Sequence, residues 1–205
     1  MGPLTVTGGR TLLKPFAMLV TAVAMATPAL AATGDAADRL GRYDDQVVAI
    51  MKAKLPLSQR IARFEPLVQS YYDMPAIAAL VVGPAWAGAS SADKQAATAA
   101  LAHHSAVTLA RNFDSYGGER FTIDPAVQAR GISQVVKLTI QSKSKSNQLL
   151  YRMQRGSDGQ WRIVDVVADG VSQLAVQRSD LASTVQAGGA AGLAKRLTQL
   201  DAKVR

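Results

Sequence analysis

The chain has 205 residues, a formal net charge of +8 and no cysteine. This length suits one domain with a sizeable core, and the absence of cysteine excludes disulfides, thiol catalysis and thiolate metal sites. Lysines and arginines are spread along the chain, without a basic block interleaved with aromatic residues, which disfavours nucleic-acid binding.

The first 31 residues predict a secretory signal peptide. Arg10 and Lys14 precede an apolar run over residues 16–30, which ends in small residues typical of a cleavage site. A transmembrane anchor is the alternative, but the run is shorter than the ~20 residues that span a bilayer. Cleavage at the end of the segment removes two cations, and we expect an exported single domain, residues 32–205, with a charge of +6.

Helical periodicity dominates the first part of this domain. Apolar spacing predicts helices over residues 33–54 and 58–70. A third helix, MPAIAALVV, follows Asp73 as its cap, and a long helix runs from Ser90 to about residue 114.

The hydrophobic pattern then changes to the alternation of β-strands. FTIDPAV, ISQVVKLTIQ, NQLLYRMQR and GQWRIVDVV predict four strands, and the turns KSKS and GSDG make neighbouring strands antiparallel. Helical patterns return over residues 171–185 and 190–203, separated by Gly188 and Gly189. The sequence therefore predicts an α+β fold, with a curled antiparallel four-stranded sheet embraced by N- and C-terminal helices.

The two turns, taken as four-residue loops, define a register. KSKS aligns Leu138 with Tyr151, and GSDG aligns Tyr151 with Val164. Both place the same apolar side chains on one face: Val136, Leu138, Ile140, Leu149, Tyr151, Met153, Val164 and Val166.

The same register makes predictions for the polar residues near the last turn. Arg162 falls at the edge of the apolar face. Trp161, Ile163 and Asp165 fall on the opposite face, where Asp165 lies diagonal to Arg152 as a candidate ion pair.

Helices must cover the apolar face, and two interpretations stay open. Tightly packed helices would make it a core, whereas helices that stand off would enclose a cavity. The covering segments are rich in alanine and aromatic residues are only 5% of the chain, so few large side chains fill the space. We therefore expect an apolar cavity, with helix-side and strand-end lining residues at Val81, Leu101, Val171 and Ala175.

Candidate catalytic groups are few. His103 and His104 are the only histidines, and adjacent helix residues point about 100° apart, so the pair does not chelate one metal. Asp165 and Asp169 are a candidate acid–base pair, but the register turns Asp165 away from the apolar face. We expect no catalytic residue, no metal site and no cofactor.

Three stretches together resemble a known family. They are FEPLVQSYYDMPAIAALVVGPAW, RNFDSYGGERF and QWRIVDVVADGVSQLAVQRSDLASTVQAGGAAGLAKRL. Over about residues 57–200 the chain resembles the MlaC family of periplasmic lipid-binding proteins, also called toluene-tolerance auxiliary proteins, and within it the hopanoid-associated HpnM branch. The resemblance implies a nuclear-transport-factor-like sheet, a deep cavity for lipid tails and no catalytic residues.

The resemblance also implies a function. It implies a periplasmic, monomeric carrier that shuttles a phospholipid or hopanoid between the inner and outer membranes of a Gram-negative cell. The implied partners are an inner-membrane lipid transporter component and an outer-membrane lipoprotein complex. Two alternatives are an enzyme acting on a small apolar substrate, which needs a polar group in the cavity, and a structural adaptor with a filled core.

Overall fold

The computed structural model describes residues 34–204, so the predicted signal peptide lies outside the described residues. The helices are α1 (Gly34–Lys52), α2 (Leu57–Tyr71), α3 (Met74–Val82), α4 (Ala85–Gly88), α5 (Ser91–Asn112), α6 (Gln173–Asp180) and α7 (Ala182–Asp201). The strands are β1 (Arg120–Ile123), β2 (Gln128–Arg130), β3 (Ser133–Gln141), β4 (Ser146–Arg155), β5 (Trp161–Ala168) and β6 (Val171–Ser172). They form one antiparallel sheet with helices packed on it, which confirms the α+β prediction.

Two predicted helix starts are confirmed by capping bonds. The Asp73 carboxylate accepts from the Ala76 amide at 3.1 Å at the start of α3. The Ser90 hydroxyl accepts from the Asp93 amide at 3.0 Å at the start of α5. Each bond satisfies an amide that the first turn of a helix leaves without a backbone partner.

Over residues 34–204 the sheet has six strands, not the predicted four. The first predicted strand is interrupted at Pro125, which has no amide hydrogen to donate to a β-ladder. Beside it, the Asp124 carboxylate accepts a hydrogen bond from the Ala126 amide. The chain therefore pairs with β3 twice, as β1 and as β2. At the other edge β6 pairs with β5 across the turn Asp169–Gly170, in which both residues have positive φ.

The β3–β4 register differs from the predicted one by two residues. Leu138 faces Leu149, and Val136 faces Tyr151. Since side chains alternate with a period of two, this shift exchanges cross-strand partners but keeps the predicted residues on the helix-facing side.

A β-bulge interrupts the pairing of β4 with β5. Met153 faces Ile163 on one side of the bulge, and Arg152 faces Asp165 on the other, so Val164 is the extra residue. A bulge changes the alternation of side chains by one position.

This bulge makes part of the predicted register wrong. Trp161 and Ile163 lie on the helix-facing side, where both are buried. Arg162 lies on the outer face, not at the edge of the apolar face, and forms an ion pair with Asp158 in the preceding turn.

The core lies between the helix-facing side of the sheet and the helices. α1, α2, α3 and α6 pack on β5, while α5 packs on α2, α3 and α7. The buried side chains of α1, α2, α3, α5 and α7 form one continuous cluster with those of β3, β4 and β5.

The C-terminal helical segment is divided at Gly189, as the sequence predicts. Within α7, Gly189 has φ 53° and ψ −141°, a conformation that side chains with a Cβ rarely adopt. The predicted helix over residues 171–185 is too long, because residues 171 and 172 form β6 and α6 ends at Asp180.

Replacing this glycine tests the importance of the break. Gly189→Ala is expected to lower the free energy of unfolding by about 1–3 kcal/mol, since alanine is strained at this φ and ψ. Gly188→Ala is the matched control: no atom crowds its Cβ position, and helix propensity favours alanine there by up to about 1 kcal/mol. Urea unfolding curves measure both, and equal effects would contradict a structural role for the break.

Candidate functional site

A cavity of about 550 Å³ lies between β4 and β5 on one side and α5, α6 and α7 on the other. Its volume is within the ~300–1,000 Å³ of typical small-molecule sites. The strands contribute a mostly apolar floor of Leu149, Tyr151, Val164, Val166 and Ala168. The helices and their connections contribute the apolar side chains Ile77, Leu109, Phe113, Leu174, Val176, Leu181, Leu197 and Leu200.

Polar side chains complete the lining, and most of them reach solvent. The exposed ones are Thr108, Asn112, Gln173, Asp180 and Arg196. A mainly apolar interior that opens through a polar rim suits a ligand with an apolar body and a polar end.

The side chains of α5 explain how this helix forms a wall of the cavity. Its lining residues Ser105, Leu109 and Asn112 recur at helical spacing and share one face. Several of its buried residues are small, such as Ala106 and Ala110, so α5 packs closely on the neighbouring helices without filling the space above the sheet.

Asp165 fixes α6 beside the cavity. Its carboxylate accepts from the Ser172 hydroxyl at 2.7 Å and from the Leu174 amide at 3.1 Å. Ser172 in turn accepts from the Ala175 amide at 3.0 Å as the N-cap of α6.

These contacts correct one prediction for Asp165. The ladder pairs it with Arg152, on the predicted face away from Tyr151 and Val166, although the residue also contributes to the cavity lining. It is bound to the start of α6 and does not form the predicted ion pair with Arg152, which faces it across the ladder. Because both carboxylate oxygens accept hydrogen bonds, Asp165 orients a helix and is poorly placed to act as a free acid or base.

Three tyrosines meet at the inner side of the cavity. Tyr72 lies next to β5 because it bridges to Ile163, whose carbonyl accepts from the Asp73 amide at 2.9 Å. The Tyr72 hydroxyl hydrogen-bonds the Tyr43 hydroxyl at 3.0 Å. The Tyr43 ring also contacts Tyr151 edge-on, with centroids 6.3 Å apart, and both Tyr72 and Tyr151 line the cavity.

Asp44 adds a carboxyl group to this region. It is 5% exposed, and within residues 34–204 its Oδ2 atom has no hydrogen-bond partner. Burial, and secondarily the charge of Asp45, raise its pKa to about 7. Burial also raises the pKa of Tyr43 and of Tyr151 well above the usual value and that of Tyr72 to about 12, so the hydroxyls are neutral at physiological pH.

The two histidines each contact a carboxylate. His103 Nδ1 lies 2.7 Å from a Glu65 oxygen at the surface. His104 Nδ1 lies 2.8 Å from Asp201 Oδ1, and its ring contributes to the cavity lining. The adjacent Ser105 hydroxyl donates to the Leu101 carbonyl, so it is not activated by His104 as a nucleophile.

No metal site emerges from the described part of the chain. Within residues 34–204 no three histidine, aspartate or glutamate side chains lie close enough to hold an ion. Sequence reasoning missed the contact between His104 and Asp201, because partners 97 positions apart leave no local signal.

The structure separates the predicted lipid-binding residues into groups. One group lines the cavity: Leu149, Tyr151, Val164 and Val166. A second group is fully buried in the core: Leu101, Val136, Leu138 and Met153.

The remaining predicted residues lie elsewhere. Val81 and Ala175 line a separate, shallower groove between α3 and α6. Ile140 is partly buried against the core, and Val171 is 50% exposed. Contact with lipid stays a prediction for every residue of the set, and the helix-side lining that sequence reasoning missed is contributed by α5, α6 and α7.

The fold is that of a small α+β protein with a mainly apolar cavity between its helices and its sheet. A family model described as MlaC protein matches residues 42–199. The chain therefore belongs to the MlaC family.

A solved structure shares the fold. It is a phospholipid-binding protein from Ralstonia solanacearum in complex with a phospholipid, with a TM-score of 0.70 and 19% sequence identity. The match covers 82% of this chain and 98% of that one. The sequence has no significant match among curated proteins. Among residues 34–204, no helix combines the length and apolar character that crossing a membrane requires.

The isolated carboxyl of Asp44 predicts a pH-dependent stability. Its pKa is about 7 in the folded protein and 3.8 as an ordinary aspartate, so its charge destabilises the fold increasingly as the pH rises from about 4 to 7. Asp44→Asn is expected to raise the free energy of unfolding by about 2–4 kcal/mol at pH 8 and by much less at pH 4.5.

Asp45→Asn is the matched control, because Asp45 is exposed and directly follows Asp44. Urea unfolding at the two pH values measures both variants. If Asp44→Asn raises the free energy of unfolding equally at both pH values, burial of the Asp44 charge is not the cause of the increase.

Proposed function

We propose that this protein is a periplasmic lipid carrier that holds the apolar part of a phospholipid or hopanoid in the cavity between β4–β5 and α5–α7. The observation that carries the proposal is a mainly apolar cavity with an exposed polar rim in a member of the MlaC family. The phospholipid bound to the Ralstonia solanacearum protein of the same fold supports lipid as the ligand class.

The energetics of lipid transfer favour such a cavity. Each methylene gains ~0.8 kcal/mol in an apolar environment, and a bilayer already provides that environment. A carrier therefore needs to match the bilayer to within a few kcal/mol, because each ~1.4 kcal/mol shifts the transfer equilibrium tenfold. Apolar walls with a polar rim allow this match while the head group stays in solvent.

We further propose that the chain is exported by its N-terminal segment, acts as a monomer and carries lipid between the inner and outer membranes. An inner-membrane lipid transporter component and an outer-membrane lipoprotein complex are its proposed docking partners. A charge of +6 on the mature domain, after loss of Arg10 and Lys14, favours encounter with anionic lipid or an acidic partner. A hopanoid as cargo, and a place in the HpnM branch, belong to the same proposal.

The alternative functions receive less support. An enzyme with a nuclear-transport-factor-like sheet needs a free polar group in the cavity, and His104, held by Asp201, is the candidate base. The lining offers it neither a cysteine nor an activated serine. A filled-core adaptor is disfavoured by a cavity of about 550 Å³. We therefore propose a binding protein without catalytic activity.

The ligand class is tested by recovering the bound molecule. The mature protein is purified without detergent from the periplasm of a Gram-negative host. Its organic extract and its intact mass are then measured by mass spectrometry. One phospholipid or hopanoid per chain is expected. A folded protein at its bare mass, which also fails to take up lipid from phospholipid vesicles, would contradict the proposal.

A substitution that fills the cavity tests the location of the ligand. Ala168 lies on the floor opposite Leu149, so Ala168→Phe is expected to weaken lipid binding about tenfold if the added ring costs ~1.4 kcal/mol of binding. Ala129→Phe is the matched control, because Ala129 is an exposed strand residue outside the lining. Lipid loading of both variants is measured by mass spectrometry after incubation with vesicles. Equal loading would show that the ligand does not bind in this cavity.

A further inference from the structure

The tyrosine cluster of Tyr43, Tyr72 and Tyr151 is unusual for a cavity that holds only hydrocarbon. Tyr151 is 3% exposed and lines the cavity. Among residues 34–204, its hydroxyl has no hydrogen-bond partner. The other lining tyrosine, Tyr72, shares one hydrogen bond with Tyr43 and keeps further capacity, because a hydroxyl both donates and accepts.

A buried carboxyl group lies close to the cluster. Asp44 is 5% exposed, and the electrostatic interactions of its carboxyl extend to Tyr43, Tyr72 and Tyr151. Its Oδ2 atom has no hydrogen-bond partner in the described part of the chain. Of these groups, the Tyr151 hydroxyl belongs to a residue that lines the cavity, and the described part of the chain leaves it without a hydrogen-bond partner.

A cavity-lining hydroxyl without a hydrogen-bond partner disfavours a purely hydrocarbon ligand. A plain alkyl chain packed against Tyr151 would displace water from its hydroxyl without replacing the hydrogen bond. A ligand that has an oxygen at that point would satisfy the hydroxyl. A hydrogen bond of this kind changes affinity about two- to tenfold.

We propose that the tyrosine cluster is a recognition site for a hydroxyl or carbonyl oxygen within the otherwise apolar body of the ligand, with Tyr151 as the direct contact. This inference rests on the proposed function, because it assigns a ligand class to the same cavity. Two sources supply this chemistry: the hydroxyl of an apolar alcohol and the ester carbonyl of an acylglycerol lipid.

Two pairs of probes distinguish these sources. 2-Naphthol and 2-methylnaphthalene have nearly the same shape and differ in one hydroxyl. Dioctanoyl phosphatidylcholine and its dialkyl ether analogue differ in their ester carbonyls. Affinities of all four are measured by isothermal titration or fluorescence for the wild type and for Tyr151→Phe, which removes the hydroxyl and keeps the ring.

Within at least one pair, the affinity ratio of the oxygen-bearing probe to its partner is expected to fall about fivefold in Tyr151→Phe. A fall in the naphthalene pair identifies an alcohol, and a fall in the phosphatidylcholine pair identifies an ester carbonyl. Comparing ratios removes the different water solubilities of the probes. Tyr116→Phe is the matched control, because its hydroxyl donates to the Glu119 carbonyl outside the lining, and neither ratio is expected to change.

Unchanged ratios in both pairs would overturn the inference and leave the carrier proposal standing. Failure of the wild type to bind any of the four probes would contradict the carrier proposal and the inference with it. Tyr151→Phe breaks no hydrogen bond among the described residues, so we expect it to fold. Thermal unfolding measurements check the folding of Tyr151→Phe. If Tyr151→Phe does not fold, Tyr72→Phe takes its place in the same comparison of affinity ratios.

Discussion

The bulge in β5 determines which side chains face the helices, and the rest of the structure depends on it. Val164 is inserted between two correctly paired stretches of β4 and β5. On the turn side of the bulge, Trp161 and Ile163 face the core. Without the extra residue, one half of β5 would present its polar side chains to the helices, because a shift of one residue exchanges the two faces of a strand.

The helix-facing side of the sheet has two different surroundings along β4 and β5. Near Ile163 the connection between α2 and α3 binds the strand directly through the Asp73 amide, and the interior is filled. Toward Ala168 the helices stand off, and α6 is held at the side by Asp165. One continuous apolar face therefore serves as core at one end and as cavity floor at the other.

Local signals in the sequence predicted most of the elements. Asp73 is a predicted and observed cap, Ser90 is a predicted helix start that caps α5, and Gly189 is a predicted and observed break. The helix-facing side chains of β3 and β4 were predicted correctly, although the predicted register was wrong by two residues. A shift of two residues keeps every side chain on the same face, because side chains alternate with a period of two. The bulge was not predictable, since Val164 is a β-branched residue without the glycine that can mark one.

The site was less predictable than the fold. The strand floor followed from alternation, which correctly placed Leu149 and Tyr151 beside the helices. The walls depend on how far α5 and α7 stand from the sheet, and helix periodicity carries no information on that distance. The pairing of His104 with Asp201 depends on tertiary packing in the same way.

The most direct test of the account is to locate the acyl chain in the bound protein. A phospholipid with a photoreactive diazirine near the end of one acyl chain is loaded into the protein and irradiated, and the labelled residues are mapped by peptide mass spectrometry. We expect labels on the cavity-lining residues of β4, β5 and α5–α7, such as Leu149, Val166 and Leu200. Labels confined to the outer face of the sheet, or to the separate groove at Val81 and Ala175, would contradict it.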